Sequence, residues 1–138
     1  MKKLNKKGFT LVELLAVIVI LALLIVVVAN TALPALNSSK KKSLTTYAQR
    51  VAEKAKEQYM SNELSSTSTP PNCYDLSTLM GSQSTYTGIV EVNKNDTNQY
   101  VAKVYITDKD FMLNGVVDTD LPSSTPVKYT ALTKTSCS

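Results

Sequence analysis

The sequence predicts an α+β chain in which one long N-terminal helix, apolar in its first half and amphipathic in its second, packs against a small antiparallel β-sheet. Three observations carry that expectation. An apolar run follows a basic leader, an apolar spacing of three and four continues behind it, and beyond Gly88 the period changes to two.

Residues 14–29 are sixteen consecutive aliphatic or alanine side chains, and residues 9–29 carry Glu13 as their only charge. At a rise of 1.5 Å per residue, about 20 apolar residues cross a bilayer. Lys2, Lys3, Lys6 and Lys7 precede the run, so the positive-inside bias holds the N-terminus in the cytoplasm and sends the remainder outside. A secretory signal peptide shares this basic start, with Val27-Val28-Ala29 as a loose cleavage site. An ordinary membrane anchor shares the length and the charge. Glu13 argues against the signal peptide, because a carboxylate near the centre of an inserted helix costs about 2.5–3.5 kcal/mol, less near an end, and is retained mainly where it has a role.

Leu44, Tyr47, Ala48, Val51, Ala52, Ala55 and Tyr59 recur at spacings of three and four, with Gln49, Arg50, Glu53, Lys54, Lys56 and Glu57 between them. That pattern is an amphipathic helix. Pro34 lies between the two halves and predicts a helix break, a kink or unwound turn over residues 30–34, because it removes a backbone donor and crowds the Asn30 carbonyl. The helix is expected to end near Asn62. Residues 61–72, with Ser65-Ser66-Thr67-Ser68-Thr69-Pro70-Pro71, are turn and linker chemistry.

Asp75 is placed as the N-cap of a short helical turn through Leu76, Leu79 and Met80. Residues 89–92 and 100–107 read as strands around a polar turn at 94–98. Residues 110–113 and 116–117 flank Asn114-Gly115, a hairpin signal, and residues 127–133 form a last strand. The sheet must cover the amphipathic helix, since neither apolar face can be left in water. The expected divisions are a leader at 1–8, an apolar membrane-spanning helix at 9–36, an amphipathic half at 37–62 and a globular head at 63–138.

The formal charge of +4 belongs to the leader, which holds four of the fifteen basic side chains; without it, eleven basic groups face eleven acidic ones. Net charge therefore gives no support for nucleic acid as a partner. Lys40-Lys41-Lys42 is the one local basic cluster, read as a solvated face or a contact with anionic lipid headgroups. Cys73 and Cys137 are an even count in an exported small domain, which favours a disulfide, with two free thiols as the alternative. The absence of His excludes a zinc site and a His-dependent triad. Asp108, Asp110, Asp118 and Asp120 lack an EF-hand spacing and read as solvated turn residues rather than a calcium site. No nucleophile–base pair or phosphate loop is present, so no catalytic residue, cofactor or metal is assigned.

The junction Lys6-Lys7-Gly8-Phe9-Thr10-Leu11-Val12-Glu13 resembles the processing site of type IV prepilins. The resemblance covers roughly the first 30 residues closely and the rest only in general plan. It implies cleavage after Gly8 by a prepilin peptidase, N-methylation of Phe9, and use of Glu13 in docking subunits, where a neighbour's N-terminal ammonium on Phe9 neutralises the carboxylate and selects one axial register. It implies a pilin-like fold and a non-enzymatic, structural subunit of a type IV pilus. Expected partners are other pilin subunits, the peptidase, an inner-membrane assembly platform and the bilayer before assembly. Pilins often carry a helix-breaking proline a few residues earlier than Pro34. The alternatives are a pseudopilin of a competence or type II secretion system, and a minor or tip pilin that binds DNA or a host surface. The location implied is the cell membrane first and the extracellular surface afterwards.

Overall fold

The computed structural model describes residues 9–65, 69–81 and 85–137. The leader with Gly8, and residues 66–68 of the expected linker, lie outside the described residues. The chain divides into two compact units, Met1–Ser38 and Ser39–Ser138.

Helix α1, Leu11–Ser65, supplies the described part of the first unit almost entirely and the first element of the second. It is helical without a break across residues 30–34, Pro34 included. The single chain thus keeps its helical backbone through Pro34, with no unwound turn over residues 30–34. The helix also outlasts its expected end at Asn62 by three residues. Ser65 Oγ donates to the carbonyls of Ser61 and Asn62, the kind of local bond that closes a helix terminus.

In the second unit the expected helical face is the buried one. Leu44, Ala48, Val51, Ala52 and Ala55 are buried, and three of these five are alanines. The sheet consists of β1 (Cys73–Asp75), β2 (Thr87–Lys94), β3 (Tyr100–Thr107), β4 (Phe111–Val117) and β5 (Val127–Lys128), with the short helix α2 (Leu76–Met80) after β1. Its order is β1-β2-β3-β4-β5, antiparallel throughout. Because alternate side chains of a strand point to opposite faces, Val90, Val92, Ala102, Val104, Ile106 and Leu113 meet the helix residues in one core, joined by Leu76, Leu79 and Leu121. The result is an α+β, pilin-like head.

The other face of the sheet is also covered. Ile89, Tyr105, Thr107 and Met112 are buried although they point away from α1. Residues 129–137 cross above them as a strap. The Tyr129 amide donates to the Asp110 carbonyl. The Thr133 amide and hydroxyl donate to Asn114 Oδ1 on β4 at 3.0 and 2.9 Å. Lys134 stands 6.0 Å over the Tyr105 ring on β3 and pairs with Glu91 on β2. Cys137 is then disulfide-bonded to Cys73 on β1, with the Cα atoms 5.6 Å apart.

This strap replaces most of the expected last strand. Only Val127 and Lys128 pair with β4, and residues 129–133 turn away from the strand edge to run across the face. Asn114-Gly115 also departs from expectation and is not a hairpin turn. A type I′ turn needs both central residues at positive φ, and here only Gly115 has it, at 70°. The register against β3 shifts between Val104 and Tyr105, which pair with Val116 and Asn114. Gly115 is therefore the extra residue of a β-bulge inside a continuous β4. The β3–β4 reversal comes earlier, at Asp108-Lys109-Asp110. There Lys109 takes φ 77°, and Asp108 Oδ1 accepts the amides of Asp110 and Phe111. Asp75 occupies the N-cap position of α2 as expected, but its side chain makes no capping bond.

Candidate functional site

Helix α1 begins two residues after Phe9. Its first turn leaves amide donors without intrahelical acceptors, and Thr10 and Glu13 satisfy them reciprocally. Glu13 Oε2 accepts the Thr10 amide at 2.8 Å and the Thr10 hydroxyl at 3.1 Å, while Thr10 Oγ1 accepts the Glu13 amide at 3.3 Å. This is a capping box. Thr10-Leu11-Val12-Glu13 in front of an apolar run carries the signature of this box, a signal that reading Glu13 only as an assembly carboxylate misses. Glu13 thus has partners inside its own chain, and among the described residues no hydrogen bond engages its other carboxylate oxygen at the helix N-terminus, where the macrodipole favours negative charge.

From here to Leu36 the helix presents apolar side chains on every side. Phe9 is 91% exposed, and the aliphatic residues from Leu11 to Val28, with Leu33 and Leu36, are all half exposed or more. The most apolar window of this helix has a mean hydropathy of 3.4, long and apolar enough to cross a membrane. At about 25 cal/mol per Å², so continuous a surface cannot be left in water. Lipid or other copies of such a helix are the environments that match it.

The remaining candidates fall in the head. Cys73 and Cys137 clasp the strap. Asp110 pairs with Lys40, Asp118 pairs with Lys56 and accepts the Ala102 amide, and Asp108 caps its own turn. Three of the four aspartates weighed as a calcium site are therefore spent on the fold. Among the described residues no three acidic, His or Cys side chains converge as metal ligands would. Lys40 and Lys41 of the basic cluster also turn toward the head, the first onto Asp110 and the second 5.1 Å over the Phe111 ring. The Asp110 carboxylate raises the pKa of Lys40 through their hydrogen bond and charge.

A long helix, apolar around its first half and laid in its second half against an antiparallel meander, is a pilin-like α+β architecture. The matching segment has a more particular identity. Residues 3–29 match the family model of the prokaryotic N-terminal methylation motif, the class III signal peptide of type IV pilins. No curated protein and no solved structure matches the chain. The motif supports a protein of the type IV pilin or pseudopilin kind, a structural subunit that assembles with other pilins after processing by a prepilin peptidase. Together with the apolar helix, it fits anchoring in the membrane before assembly.

Proposed function

We propose that this chain is a structural subunit of a type IV pilus, cut after Gly8, N-methylated on Phe9, and assembled through residues 9–36 into a surface filament whose exterior is made by the heads. One observation carries the reading. A methylation motif leads directly into a helix that is apolar on all sides, with a single carboxylate in its first turn.

The division of labour follows from the chemistry. Hydrolysis of the Gly8–Phe9 peptide bond creates a new ammonium at Phe9, one helical turn from Glu13. In lipid, a carboxylate and an ammonium from adjacent copies neutralise each other, and the axial offset that brings them together is the one the filament repeats. The capping bonds occupy one oxygen of Glu13 and hold the carboxylate at the helix start. Apolar packing between copies then supplies cohesion without direction, and the ion pair supplies register. Pro34 marks where the helix can stretch on assembly, since the Asn30 carbonyl has no helical donor there. The bridge between Cys73 and Cys137 forms after export.

The experiment is electron microscopy of sheared surface material, with mass spectrometry of the subunit. Filaments containing a mature chain that starts at a methylated Phe9 are the expected result. A correctly processed subunit that never leaves the membrane or forms only stubs would assign it to a secretion or competence pseudopilin instead. A mature terminus at Asn30 would assign the segment to a secretory signal peptide.

A further inference from the structure

The end of the head nearest residue 39 gathers basic groups from three separate stretches of sequence. Lys40, Lys41 and Lys42 lie in α1, Lys109 forms the tip of the β3–β4 turn, and Lys128 lies in β5. The Lys40–Asp110 ion pair ties that turn to the helix, and register pairs Lys128 with Phe111 at the bottom of β4. Lys41 lies over the same Phe111 ring. The turn and β5 therefore flank the first residues of the head. Lys42, Lys109 and Lys128 are exposed, and no carboxylate of the described residues forms an ion pair with them. Set against the two carboxylates at this end, Asp108 and Asp110, the five lysines leave a net excess of three positive charges. Val127 and Tyr129 beside them are 54% and 39% exposed, a pairing of apolar and amphipathic side chains with lysines that suits a membrane interface.

We propose that this end of the head is a docking surface for anionic phospholipid headgroups, on which the anchored subunit rests before it enters a filament. The inference depends on the membrane-anchored state set out above. With the span ending at residue 36, the three α1 lysines follow within six residues, about one to two helical turns, and chain connectivity alone keeps them near the headgroups. The fold adds Lys109 and Lys128 to the same end. A basic cluster beside a span is attracted to anionic lipid, and that attraction is lost within a Debye length as salt rises. Because Lys40 is occupied by Asp110, the lipid contacts fall to Lys41, Lys42, Lys109 and Lys128.

The test is covalent labelling of lysine amines in the mature full-length chain, held as single copies in nanodiscs of zwitterionic lipid or of zwitterionic lipid mixed with phosphatidylglycerol. Anionic lipid should slow labelling of Lys109 and Lys128 by about five-fold, a gain that salt abolishes, with Lys54 and Lys103 unaffected. The Lys109→Gln/Lys128→Gln double variant, with an unchanged thermal unfolding profile, should weaken the protection of Lys41 and Lys42. Equal labelling in both lipids overturns the proposal. Protection that ignores lipid charge but grows with the number of subunits per disc also overturns it, and makes this end a contact between copies. Leader cleavage and filament yield, scored in cells for the same variants, show separately whether the pilus reading stands.

Discussion

Glu13 and Thr10 close a capping box across the first turn of α1: one carboxylate oxygen accepts both the amide and the hydroxyl of Thr10, and the Thr10 hydroxyl accepts the Glu13 amide. A glutamate kept inside an apolar run thus has a local reason as well as the intermolecular one proposed for it. The two roles separate by substitution, because a glutamine at the same position serves the box as well as a glutamate does.

Glu13→Gln should be inserted, cleaved and methylated, yet accumulate as membrane monomer, since it keeps the cap and deletes the charge. Glu13→Asp keeps the charge with a shorter reach and should be defective to a smaller degree. Thr10→Ala removes the hydroxyl of the box, costs the helix start about 1 kcal/mol, and should still assemble. Filament yield at matched processing is the measurement. Normal yield from Glu13→Gln, or failure of Thr10→Ala alone, would assign Glu13 to capping rather than to register.

Loss of the clasp should free the strap. Cys73→Ser, or reduction of the wild type, leaves residues 129–137 held by Thr133, Lys134 and the Tyr129–Asp110 backbone bond, and exposes Ile89, Tyr105 and Met112. The bridge closes a sequence separation of 64 residues, which is worth about 4 kcal/mol in the chain-entropy model. Thermal unfolding with and without reductant reads the loss, and leader cleavage should not change. Two reactive thiols in non-reduced native protein would show that no such bridge forms.

Gly88→Ala should be among the most damaging single substitutions in the head. Gly88 has φ 141°, and an added Cβ would lie 1.9 Å from the Tyr105 carbonyl oxygen, a backbone atom with no freedom to retreat. The strain falls on the β2–β3 pairing, at the Gly88–Ile106 position of the register. A loss of more than about 3 kcal/mol is expected, as for other changes at an incompatible backbone site. Thermal melts that differ from wild type by only a degree or two would mean that β2 shifts without cost.

At the opposite end of the head from Lys40, Glu63 accepts hydrogen bonds from Lys94 and from the Tyr100 hydroxyl. The Lys94 bond, then the Tyr100 bond, lower the Glu63 pKa, and the same carboxylate raises that of Lys94. The Glu63 contribution is present above its ordinary value of about 4.3 and lost as pH falls through the lowered folded value. The Lys94 contribution is present below about 10.4 and lost as pH rises through the raised one. Melting profiles of wild type and Glu63→Gln should therefore differ at neutral pH and converge only in acid, once the pH has fallen through the lowered folded value of Glu63. A difference that persists there would point to packing rather than charge.

Tyr74→Phe should leave the head as stable or slightly more so. The Tyr74 hydroxyl is buried without a hydrogen bond of acceptable geometry among the described residues, and burial raises its pKa; the Asn62 side chain stands close enough only to oppose that shift. Removing an unpaired buried hydroxyl relieves a desolvation cost of about 1–3 kcal/mol. A clear loss of stability would reveal a partner for this group, such as a bound water.

The sequence by itself determined the features that depend on neighbours along the chain. The apolar run, its basic flank and the prepilin-like junction are contiguous, so composition and order suffice to read them. The same holds for the buried helix face from Leu44 to Ala55, which follows from a 3.6-residue period, and for β2 and β3, which follow from alternation around a polar turn. Tertiary structure alone decided which polar groups bond across the fold and which face a segment crosses. Asn114-Gly115 has hairpin chemistry, yet it became a bulge because the reversal had already occurred at Asp108-Lys109-Asp110, and Asn114 was left to receive the strap. Residues 129–133 have strand propensity, but their donors meet side chains of the sheet face rather than a strand edge. β1 is only three residues long, too short for any period to announce. Lys40 and Lys41 look like a solvated cluster until Asp110 and Phe111 arrive from 70 residues away. Contacts made across such distances are set by how the two faces of the sheet are covered, and no local pattern encodes that.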